Sequence, residues 1–366
     1  MFQQTTPTEA EVDLAPSRMA ALDHRPRKLA KEAHLHYVSD RQPGISRRRS
    51  GKGWSYSTGG KIIRQKETLA RVRALAIPPA WSDVWICADP LGHLQATGFD
   101  AKGRKQYRYH KRWSSARGQV KYHRLHSFGK HLPQLRKMVR SDLRKKGLPQ
   151  EKVLAGVVAL MERTRIRVGN KHYEQANGSF GLSTLKDKHV KRDKGGTRLR
   201  FKGKSGIVHD IPLHSPRLAR LVMRCKELPG QELFQYEDDE GNVHDVDSGM
   251  VNQYIRNAAK DDFTSKDLRT WMGTSRCIRA LLETGPAETV NACRQQVNAA
   301  LDAVALHLGN TRAVCRKSYV DPRVIAAYER GKLEEYARHI VPGRSTHPRY
   351  SREERVLMNM LRDHET

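Results

Sequence analysis

The chain has 366 residues, of which 68 are Lys or Arg and 39 are Asp or Glu, so its formal net charge is +29. This surplus predicts a polyanionic partner, duplex DNA or RNA, because neutralised phosphates release condensed counterions whatever the base sequence. Hydrophobic residues make up 37% of the chain, which is enough for a folded core and excludes wholesale disorder. The longest apolar run, 153–161, is far below the roughly 20 residues of a bilayer span, so we expect no membrane partner.

Targeting and cofactor signals are also missing from the sequence. The N-terminus carries acidic residues ahead of its first basic ones and has no apolar segment, unlike a secretory signal. The 5 cysteines have neither C-x-x-C nor Cys-His spacing, so we expect reduced packing residues and no zinc site. The cluster 203–205 resembles the end of a phosphate loop, but position 198 is Arg instead of the required Gly. These features predict a cytoplasmic protein without a zinc site or a nucleotide-binding loop.

The first third of the chain predicts a tail followed by a small β-rich domain. Residues 1–34 are polar and interrupted by proline, which indicates a mobile tail. Residues 35–117 contain short apolar or aromatic runs separated by Gly and Pro, typical of strands and turns. The predicted elements are a helix at 66–75 and strands at 84–87, 93–99 and 104–109. The run Arg47-Arg48-Arg49 is a weaker candidate for a nucleic-acid contact, and its alternative interpretation is a charged loop.

The pattern becomes helical in residues 118–330. Leu154, Val157, Val158 and Met161 recur at the spacing of a core-facing helix. One β insertion follows, with strands predicted at 189–192, 197–202 and 207–212 and glycine-rich turns between them. Lys204 is therefore expected at a hairpin tip. Residues 331–366 are predicted as a helical extension, in which 351–364 forms a surface helix.

Near the end of this region the sequence predicts three consecutive helices. Apolar residues from 290 to 308 follow a helical period, and Gly309 can end that helix. A short helix from 312 to 318 comes next, capped by Asn310 or Thr311. Asp321 and Pro322 then supply an N-cap and first-turn pair for a helix at 323–330. Tyr319 is thus expected at a junction between helices, where its hydroxyl could be presented.

Basic and aromatic residues are interleaved in 102–113, and three arginines alternate at 163, 165 and 167 in a second stretch that extends to 173. Lysines and arginines reach phosphates, whereas amide and aromatic groups touch sugars or base edges. The alternative for the first stretch is a solvated basic strand whose tyrosines pack inward. For the second stretch the alternatives are structural ion pairs of the arginines, and packing or plain solvation of its other residues. The candidates are Lys102, Gln106, Tyr107 and Tyr109 in the first stretch and Lys171 and Tyr173 in the second.

An ordered set of short motifs resembles the DNA topoisomerase IB family of poxviruses and bacteria. In the helical region these are RIRVGNKHY (165–173), GLSTLKDKH (181–189), FKGKS (201–205), DLRT (267–270) and KSYVDP (317–322). In the N-terminal region they are IPPAW (77–81), GHLQATG (92–98) and GRKQYRY (103–109). The order and spacing also match, so the resemblance extends from about residue 35 to residue 330.

The resemblance implies an α+β fold and a monomer. The implied fold consists of a small β-rich N-terminal domain at 35–117 and a larger, mainly α catalytic domain at 118–330 with a small β-hairpin sheet. Together they would close on duplex DNA as a C-shaped clamp. The implied activity is relaxation of supercoiled DNA through transient single-strand cleavage, a 3′-phosphotyrosyl intermediate, strand rotation and religation, without ATP or metal.

The resemblance also implies the roles of five residues. Tyr319 matches the nucleophile, and Arg167 and Arg269 match two arginines that stabilise the pentacoordinate transition state. Lys204 matches the general acid that protonates the departing 5′ oxygen, with Lys202 as its nearest rival. Asn310 stands where the poxvirus enzymes have His, and its amide can donate a hydrogen bond but cannot titrate. His307, three residues earlier, is interpreted as a packing or surface residue.

Two other functions fit parts of the same pattern. A tyrosine recombinase shares the Arg-Lys-Arg-Tyr set, but recombinases typically have His three residues before the second arginine, where this chain has Lys266. A DNA-binding protein without catalytic activity could keep the fold and the charge. Relaxation without strand exchange would favour the topoisomerase, and dependence on Tyr319 would exclude the non-catalytic alternative.

Overall fold

The structure is a computed structural model of the chain, which describes residues 26–51, 53–101, 103–171, 174–175, 178–338, 340 and 350–363. The chain divides into two compact units, one up to Arg124 and one from Leu125 onward. The sequence placed this boundary a few residues earlier, after 117. Both positions lie inside one helix, which begins at Lys111 and continues to Asp142. In the part of the chain that is described, no helix combines the length and apolar character needed to cross a bilayer.

The first unit is built on a six-stranded antiparallel sheet with the strand order β3-β2-β1-β4-β5-β6. The strands are β1 (Ile45–Ser50), β2 (Gly53–Thr58), β3 (Lys61–Ile62), β4 (Ser82–Ile86), β5 (Leu94–Phe99) and β6 (Lys105–Tyr109). Helix α2 (Lys66–Ala74) packs Val72 against the buried side chains of β1, β4 and β5. The helix and the last three strands confirm the sequence-based predictions.

The interpretation of Arg47-Arg48-Arg49 as a loop is wrong, because these residues form the centre of β1. Arg47 is buried and donates hydrogen bonds to the carbonyl oxygens of Ile77, Pro78 and Trp81 at 3.1, 3.1 and 2.7 Å. Its guanidinium also lies 4.0 Å from the ring centroid of Trp54 on β2. These partners come from distant parts of the chain and stabilise a strand that local hydrophobicity does not indicate.

The predicted tail also ends earlier than expected. Helix α1 (Pro26–Glu32) buries Leu29 and Ala30. These residues form a small cluster with Trp113, Ala116 and Val120 of α3 (Lys111–Asp142). The prediction of a tail is therefore wrong for residues 26–34, because the apolar partners of α1 lie about 80 positions away in the sequence. The part of the predicted tail before residue 26 lies outside the described residues.

The second unit is mostly helical and contains two small sheets. A three-stranded antiparallel sheet consists of β7 (Val190–Asp193), β8 (Gly196–Lys202) and β9 (Val208–Pro212), and a two-stranded one of β10 (Gln235–Glu237) and β11 (Val243–Asp245). The helices are α4 (Gln150–Thr164), α5 (Pro216–Lys226), α6 (Ser248–Ala259), α7 (Ser265–Thr284), α8 (Val290–Leu308), α9 (Arg312–Ser318), α10 (Pro322–Glu329), α11 (Leu333–Ala337) and α12 (Arg352–Asp363). The β insertion and the helices from α8 to α10 confirm the sequence-based predictions.

Helix α7 lies at the centre of the second unit. Thr264 and Asp267 form a capping box at its start, in which each side chain pairs with the other residue's backbone. Leu268, Trp271 and Ile278 on this helix are almost fully buried in the core. The helix therefore offers a rigid support for any functional side chain along it.

Helix α12 belongs to this core and is not the surface helix that the sequence predicted. Val356, Leu357 and Met360 are fully buried. Glu354 accepts hydrogen bonds from both terminal nitrogens of Arg136, at 2.9 and 2.7 Å, and from Trp271 Nε1 at 2.8 Å. Because Trp271 is on α7 and Arg136 is on α3, one buried carboxylate joins three helices.

We expect Glu354→Ala to lower the free energy of unfolding of the protein by about 3–5 kcal/mol, because it leaves Arg136 without its main buried partner. Chemical denaturation at neutral pH measures the change. Glu335→Ala is the matched control, since Glu335 is exposed on α11, and it should stay within about 0.5 kcal/mol. Equal effects of the two substitutions would contradict the role of this carboxylate.

This contribution should also depend on pH. Burial raises the pKa of Glu354, but hydrogen bonds and charge from Arg136 outweigh it and hold the pKa below the ordinary 4.5. The unfolded carboxyl then binds a proton before the folded one, so the stabilisation is complete above pH 4.5 and disappears as pH falls through the folded-state pKa. The difference in stability between wild type and Glu354→Gln should therefore shrink in acid. A constant difference would contradict the ionic contribution.

Candidate active site

Arg167 lies in a short extended segment after α4 and is held there by its backbone. Its carbonyl oxygen accepts a hydrogen bond from the Leu182 amide at 2.9 Å, and the Val168 carbonyl accepts one from Ser183 at 2.6 Å. Gly169 and Gly181 permit this pairing, because a Cβ at Gly181 would lie 2.5 Å from the Gly169 backbone. The glycines of the RIRVGN and GLSTL motifs thus bring the two segments together and fix Arg167 in place.

Arg269 lies on the first turns of α7 and is 4% exposed. Its Nη1 donates to the Arg165 carbonyl oxygen, and its Nη2 donates to that of Leu308 at 2.9 Å. Burial and the nearby charge of Arg167 lower the pKa of Arg269 to about 10, so the guanidinium stays charged at neutral pH. Its Nε is buried and has no hydrogen-bond partner among the described residues.

Tyr319 follows α9 and lies next to Arg269. The Arg269 guanidinium is 5.4 Å from the centroid of the tyrosine ring. Thr274 on α7 donates its hydroxyl to the Tyr319 carbonyl oxygen at 3.2 Å, and a Cβ at Gly273 would lie 2.6 Å from that oxygen. The expected junction between helices is confirmed, because Asp321 caps α10 by accepting a hydrogen bond from the Arg323 amide. Helix α7 therefore positions both Arg269 and the tyrosine.

Asn310 lies beside Arg167 and has a donor to spare. Its Oδ1 accepts a hydrogen bond from Arg167 Nη2 at 2.5 Å. Its Nδ2 is buried and has no hydrogen-bond partner among the described residues. Thr311 caps α9, as one of the two sequence alternatives predicted, and Gly309 ends α8 with φ of +59°. Asn310 is thereby placed to donate to a third group next to Arg167.

His307 lies on α8, one turn before Asn310, and is half-buried. Burial and the charges of Arg165, Arg276 and Arg279 lower its pKa to about 4, which makes it neutral at pH 7. The side chain that accepts a hydrogen bond from Arg167 is that of Asn310 and not that of His307. This arrangement agrees with the interpretation of His307 as a packing residue.

Lys204 lies in the turn between β8 and β9, as the sequence predicted, and is exposed. The turn is closed by hydrogen bonds from the Gly203 amide to the Ile207 carbonyl at 2.7 Å and from the Gly206 amide to the Gly203 carbonyl at 3.2 Å. Lys202, the rival, is exposed at the end of β8, and its Cε would lie 3.5 Å from a Cβ at Gly206. Both lysines therefore remain accessible to DNA.

The tyrosines of β6 do not pack inward as the alternative interpretation expected. Tyr107 is 48% and Tyr109 is 39% exposed, and their rings stack with a centroid distance of 6.0 Å. Gln106 donates a hydrogen bond to Asp100 at 3.0 Å. Lys102 lies outside the described residues. The exposed aromatic pair lies beside basic side chains, with Lys105 Nζ 6.0 Å from the centroid of the Tyr107 ring.

Lys171 forms an ion pair with Asp245 of β11, with Nζ 3.1 Å from Oδ2. The hydrogen bond and charge of Asp245 raise the pKa of Lys171. A DNA contact by Lys171 would share or replace this pair. Tyr173, the other candidate in this segment, lies outside the described residues.

The structure brings together Arg167, Arg269, Asn310 and Tyr319, three of which are more than 40 positions apart in the chain. It also reveals residues that the sequence interpretation did not include: Thr274 and Gly273 hold the backbone of Tyr319, and His209 of β9 lies beside Gly309. The spacing of Gly273 from Arg269, at i+4 on a helix, was the available signal for the glycine, and spacing gave none for Thr274. For His209 no local signal existed.

This cluster contains a phenol, two guanidiniums and an amide N–H that has no hydrogen-bond partner among the described residues. Guanidiniums stay ionised and offer forked donors, so the group suits an anionic phosphorus centre attacked by the phenol oxygen. Among the residues that the structure describes, no three His, Cys, Asp or Glu side chains are grouped so as to hold a metal ion.

Comparisons with known proteins identify the family. The family model of the eukaryotic DNA topoisomerase I catalytic core matches residues 106–341, and that of the bacterial DNA topoisomerase IB N-terminal domain matches residues 53–100. DNA topoisomerase 1B of Acanthamoeba polyphaga mimivirus is 33% identical over 295 residues, which cover 78% of this chain and 88% of the viral protein. DNA topoisomerase 1 of Rabbit fibroma virus is 26% identical over 288 residues, covering 73% and 86%. The chain therefore belongs to the type IB DNA topoisomerases.

Proposed function

We propose that this protein relaxes supercoiled duplex DNA by transient cleavage of one strand, with Tyr319 as the nucleophile. The observation that carries the proposal is the position of Tyr319 beside the buried Arg269, 5.4 Å from ring to guanidinium, while Arg167 is held by Asn310 in the same cluster. Family membership supports the reaction class. It also speaks against the recombinase alternative, in keeping with Lys266 in place of His.

In the proposed reaction the Tyr319 oxygen attacks a backbone phosphorus, and its phenolic proton passes to solvent water. The bond between phosphorus and the 5′ oxygen breaks as the bond to the tyrosine forms, which yields a 3′-phosphotyrosyl linkage. Arg167, Arg269 and the Asn310 amide donate to the non-bridging oxygens, where negative charge accumulates. Lys204 gives a proton to the departing 5′ oxygen. Religation reverses these steps after the free strand has rotated.

Because the phosphotyrosyl linkage conserves the energy of the broken phosphodiester, the proposed cycle requires neither ATP nor metal. The proposal includes the finer features that the family resemblance implies. These are a monomeric enzyme, a nucleoid location, a C-shaped clamp on the duplex, and DNA contacts by Gln106, Tyr107, Tyr109 and Lys171, with Lys102 and Tyr173 as candidates outside the described residues.

The decisive test is relaxation of negatively and positively supercoiled plasmid in EDTA without ATP. We expect the wild-type protein to relax both negatively and positively supercoiled plasmid, producing a series of topoisomers that differ in linking number. Binding of plasmid with an unchanged linking number would contradict the proposal and favour a non-catalytic DNA-binding protein. Exchange of strands between two duplexes would favour a recombinase.

Denaturation during turnover should trap the intermediate. We expect the protein to remain attached to the fragment that carries a new 3′ end, and the other fragment to have a free 5′ hydroxyl. Mass spectrometry of the digested adduct should place the nucleotide on Tyr319. An adduct at the 5′ end, or on another residue, would contradict the assigned chemistry.

Asn310 allows a substitution of nearly equal size that removes the donor and adds a negative charge. In Asn310→Asp the side chain still accepts from Arg167 but offers no N–H to the phosphate and adds a negative charge, so we expect cleavage to slow by about 10²–10³-fold. Asn310→His restores a donor and should lose much less. Single-turnover cleavage of a nicking substrate measures both rates, and equal rates for the two variants would contradict the donor role.

A further inference from the structure

His209 is a side chain of the three-stranded sheet that lies beside Gly309, whose carbonyl oxygen accepts a hydrogen bond from Arg167. It pairs with Phe201 across β8 and β9, and the two rings stack with a centroid distance of 4.9 Å. Its neighbours Val208 and Asp210 are exposed, so strand alternation turns the imidazole inward. Burial and the charges of Arg167 and Arg269 lower the pKa of His209 below its ordinary 6.5. The ring is therefore neutral at pH 7.

Two glycines make room for this imidazole. A Cβ at Gly203 would lie 2.6 Å from His209 Nε2, and a Cβ at Gly309 would lie 3.3 Å from His209 Cε1. Any other residue at 203 would push the ring away, because contacts under 3.0 Å are essentially never seen for a real Cβ. The ring thus lies between the residue that precedes Lys204 and the residue that precedes Asn310.

This contact joins the two parts of the site that come from different elements. Arg167 donates to the Gly309 carbonyl oxygen at 3.4 Å as well as to Asn310, so Gly309 is part of the arginine cluster. Gly203 begins the turn that carries Lys204. An exposed lysine on a short turn has many conformations, and fixing the base of the turn reduces their number.

We propose that His209 is a positioning residue for Lys204: its imidazole docks the β8–β9 turn against Gly309 and thereby aims the lysine at the phosphate held by Arg167 and Asn310. The inference rests on the proposed function, in which Lys204 is the general acid. His209 itself transfers no proton in this scheme. Its effect on the rate passes through the leaving-group step alone.

A substrate with a 5′-bridging sulfur tests this inference, because a thiolate leaves without receiving a proton. We expect His209→Ala to slow single-turnover cleavage of the ordinary oxygen substrate by about 10²-fold, as misplacement of a catalytic group by about 1 Å does. With the sulfur substrate the variant should cleave at the wild-type rate, as Lys204→Ala should. His209→Phe keeps a ring for stacking and should retain most of the activity on the oxygen substrate.

The combined variant gives an independent readout. If His209 acts through Lys204, the double substitution of Lys204 and His209 by Ala should be no slower than Lys204→Ala alone. Gly203→Ala displaces the imidazole while leaving the histidine in the chain and should show the same rescue by sulfur, which keeps the test valid if His209→Ala fails to fold. His214→Ala is the matched control, because His214 is exposed just beyond β9 and should leave both rates unchanged.

Several results would overturn the inference. A wild-type rate for His209→Ala on the oxygen substrate would show that the contact has no role. A defect that persists with sulfur, while Lys204→Ala is rescued, would show that His209 acts on the phosphate or the arginines. If Lys204→Ala is not rescued either, the general-acid assignment of the proposed function fails and the inference fails with it. A wild type that forms no adduct with either substrate would reject the proposed function as a whole.

Discussion

Replacement of Tyr319 by Phe is expected to abolish both relaxation and covalent adduct formation while DNA binding stays near the wild-type level. The phenol oxygen is the proposed nucleophile, and no other atom of the ring can form the phosphotyrosyl bond. The ring contacts survive in Phe, since the Arg269 guanidinium lies 5.4 Å from the ring centroid and α7 holds the backbone through Thr274. Plasmid relaxation, adduct detection after denaturation, and a binding assay measure the three quantities.

Tyr336→Phe is the matched control for this experiment. Tyr336 is half-buried on α11, so its substitution tests the general effect of losing one phenol in the same unit. It should keep full relaxation. Residual adduct in Tyr319→Phe would place the nucleophile elsewhere, and loss of DNA binding together with activity would indicate a structural role for the hydroxyl.

Arg269→Ala is expected to slow cleavage by at least 10²–10³-fold, roughly the loss observed when one donor to a developing oxyanion is removed. The guanidinium is buried, so the missing charge is not replaced by solvent at the transition state. Arg269→Lys keeps the charge but loses the forked donors to the Arg165 and Leu308 carbonyls, and it should recover only part of the rate. Single-turnover cleavage rates, measured at saturating enzyme, separate this effect from DNA affinity.

The control for Arg269 must show that the loss is not a general effect of charge. Arg256 lies on α6 in an ion pair with Asp262, and Arg256→Ala removes the same charge at a residue outside the cluster. It should change cleavage by less than about threefold. Because Arg269 also holds two backbone carbonyls, thermal unfolding of Arg269→Ala belongs beside its kinetics. An Arg269→Ala protein that folds and cleaves normally would contradict the assigned role.

Much of the fold in the second unit was predictable from local pattern. The apolar stripe of α8, Gly309 at its end, and the Asp321-Pro322 start of α10 are signals that act within a few residues, and the structure confirms them. The glycine-rich turns of the β insertion belong to the same class. Such elements follow from helix capping and turn chemistry, which need no knowledge of distant partners.

The elements that were missed depend on distant contacts. Arg47 lies in a strand because three carbonyl oxygens from 77 to 81 and the ring of Trp54 receive its guanidinium. Helix α1 is stabilised by Trp113, and α12 by Trp271 and Arg136. A sequence pattern does not reveal which apolar or charged surface will face a short polar segment, so a tail or loop was the natural interpretation.

The candidate site divides in the same way. The residues themselves came from the family resemblance, and composition and spacing alone left each of them with an ordinary structural explanation. Lys171 pairs with Asp245, and Asn310 Nδ2 is left without a hydrogen-bond partner among the described residues. Both features depend on which residues become neighbours in the folded chain, so a sequence pattern does not reveal them. His209 is the clearest case, because its importance arises from two glycines more than 100 positions apart.

The buried helix α12 has a practical consequence for the design of expression vectors. The match to the topoisomerase catalytic core ends at residue 341, which invites a shortened protein that stops there. Such a protein would uncover the indole of Trp271 and the apolar surface that Val356, Leu357 and Met360 cover. Exposed patches of this kind promote aggregation, so a soluble and active fragment should retain the residues through 363.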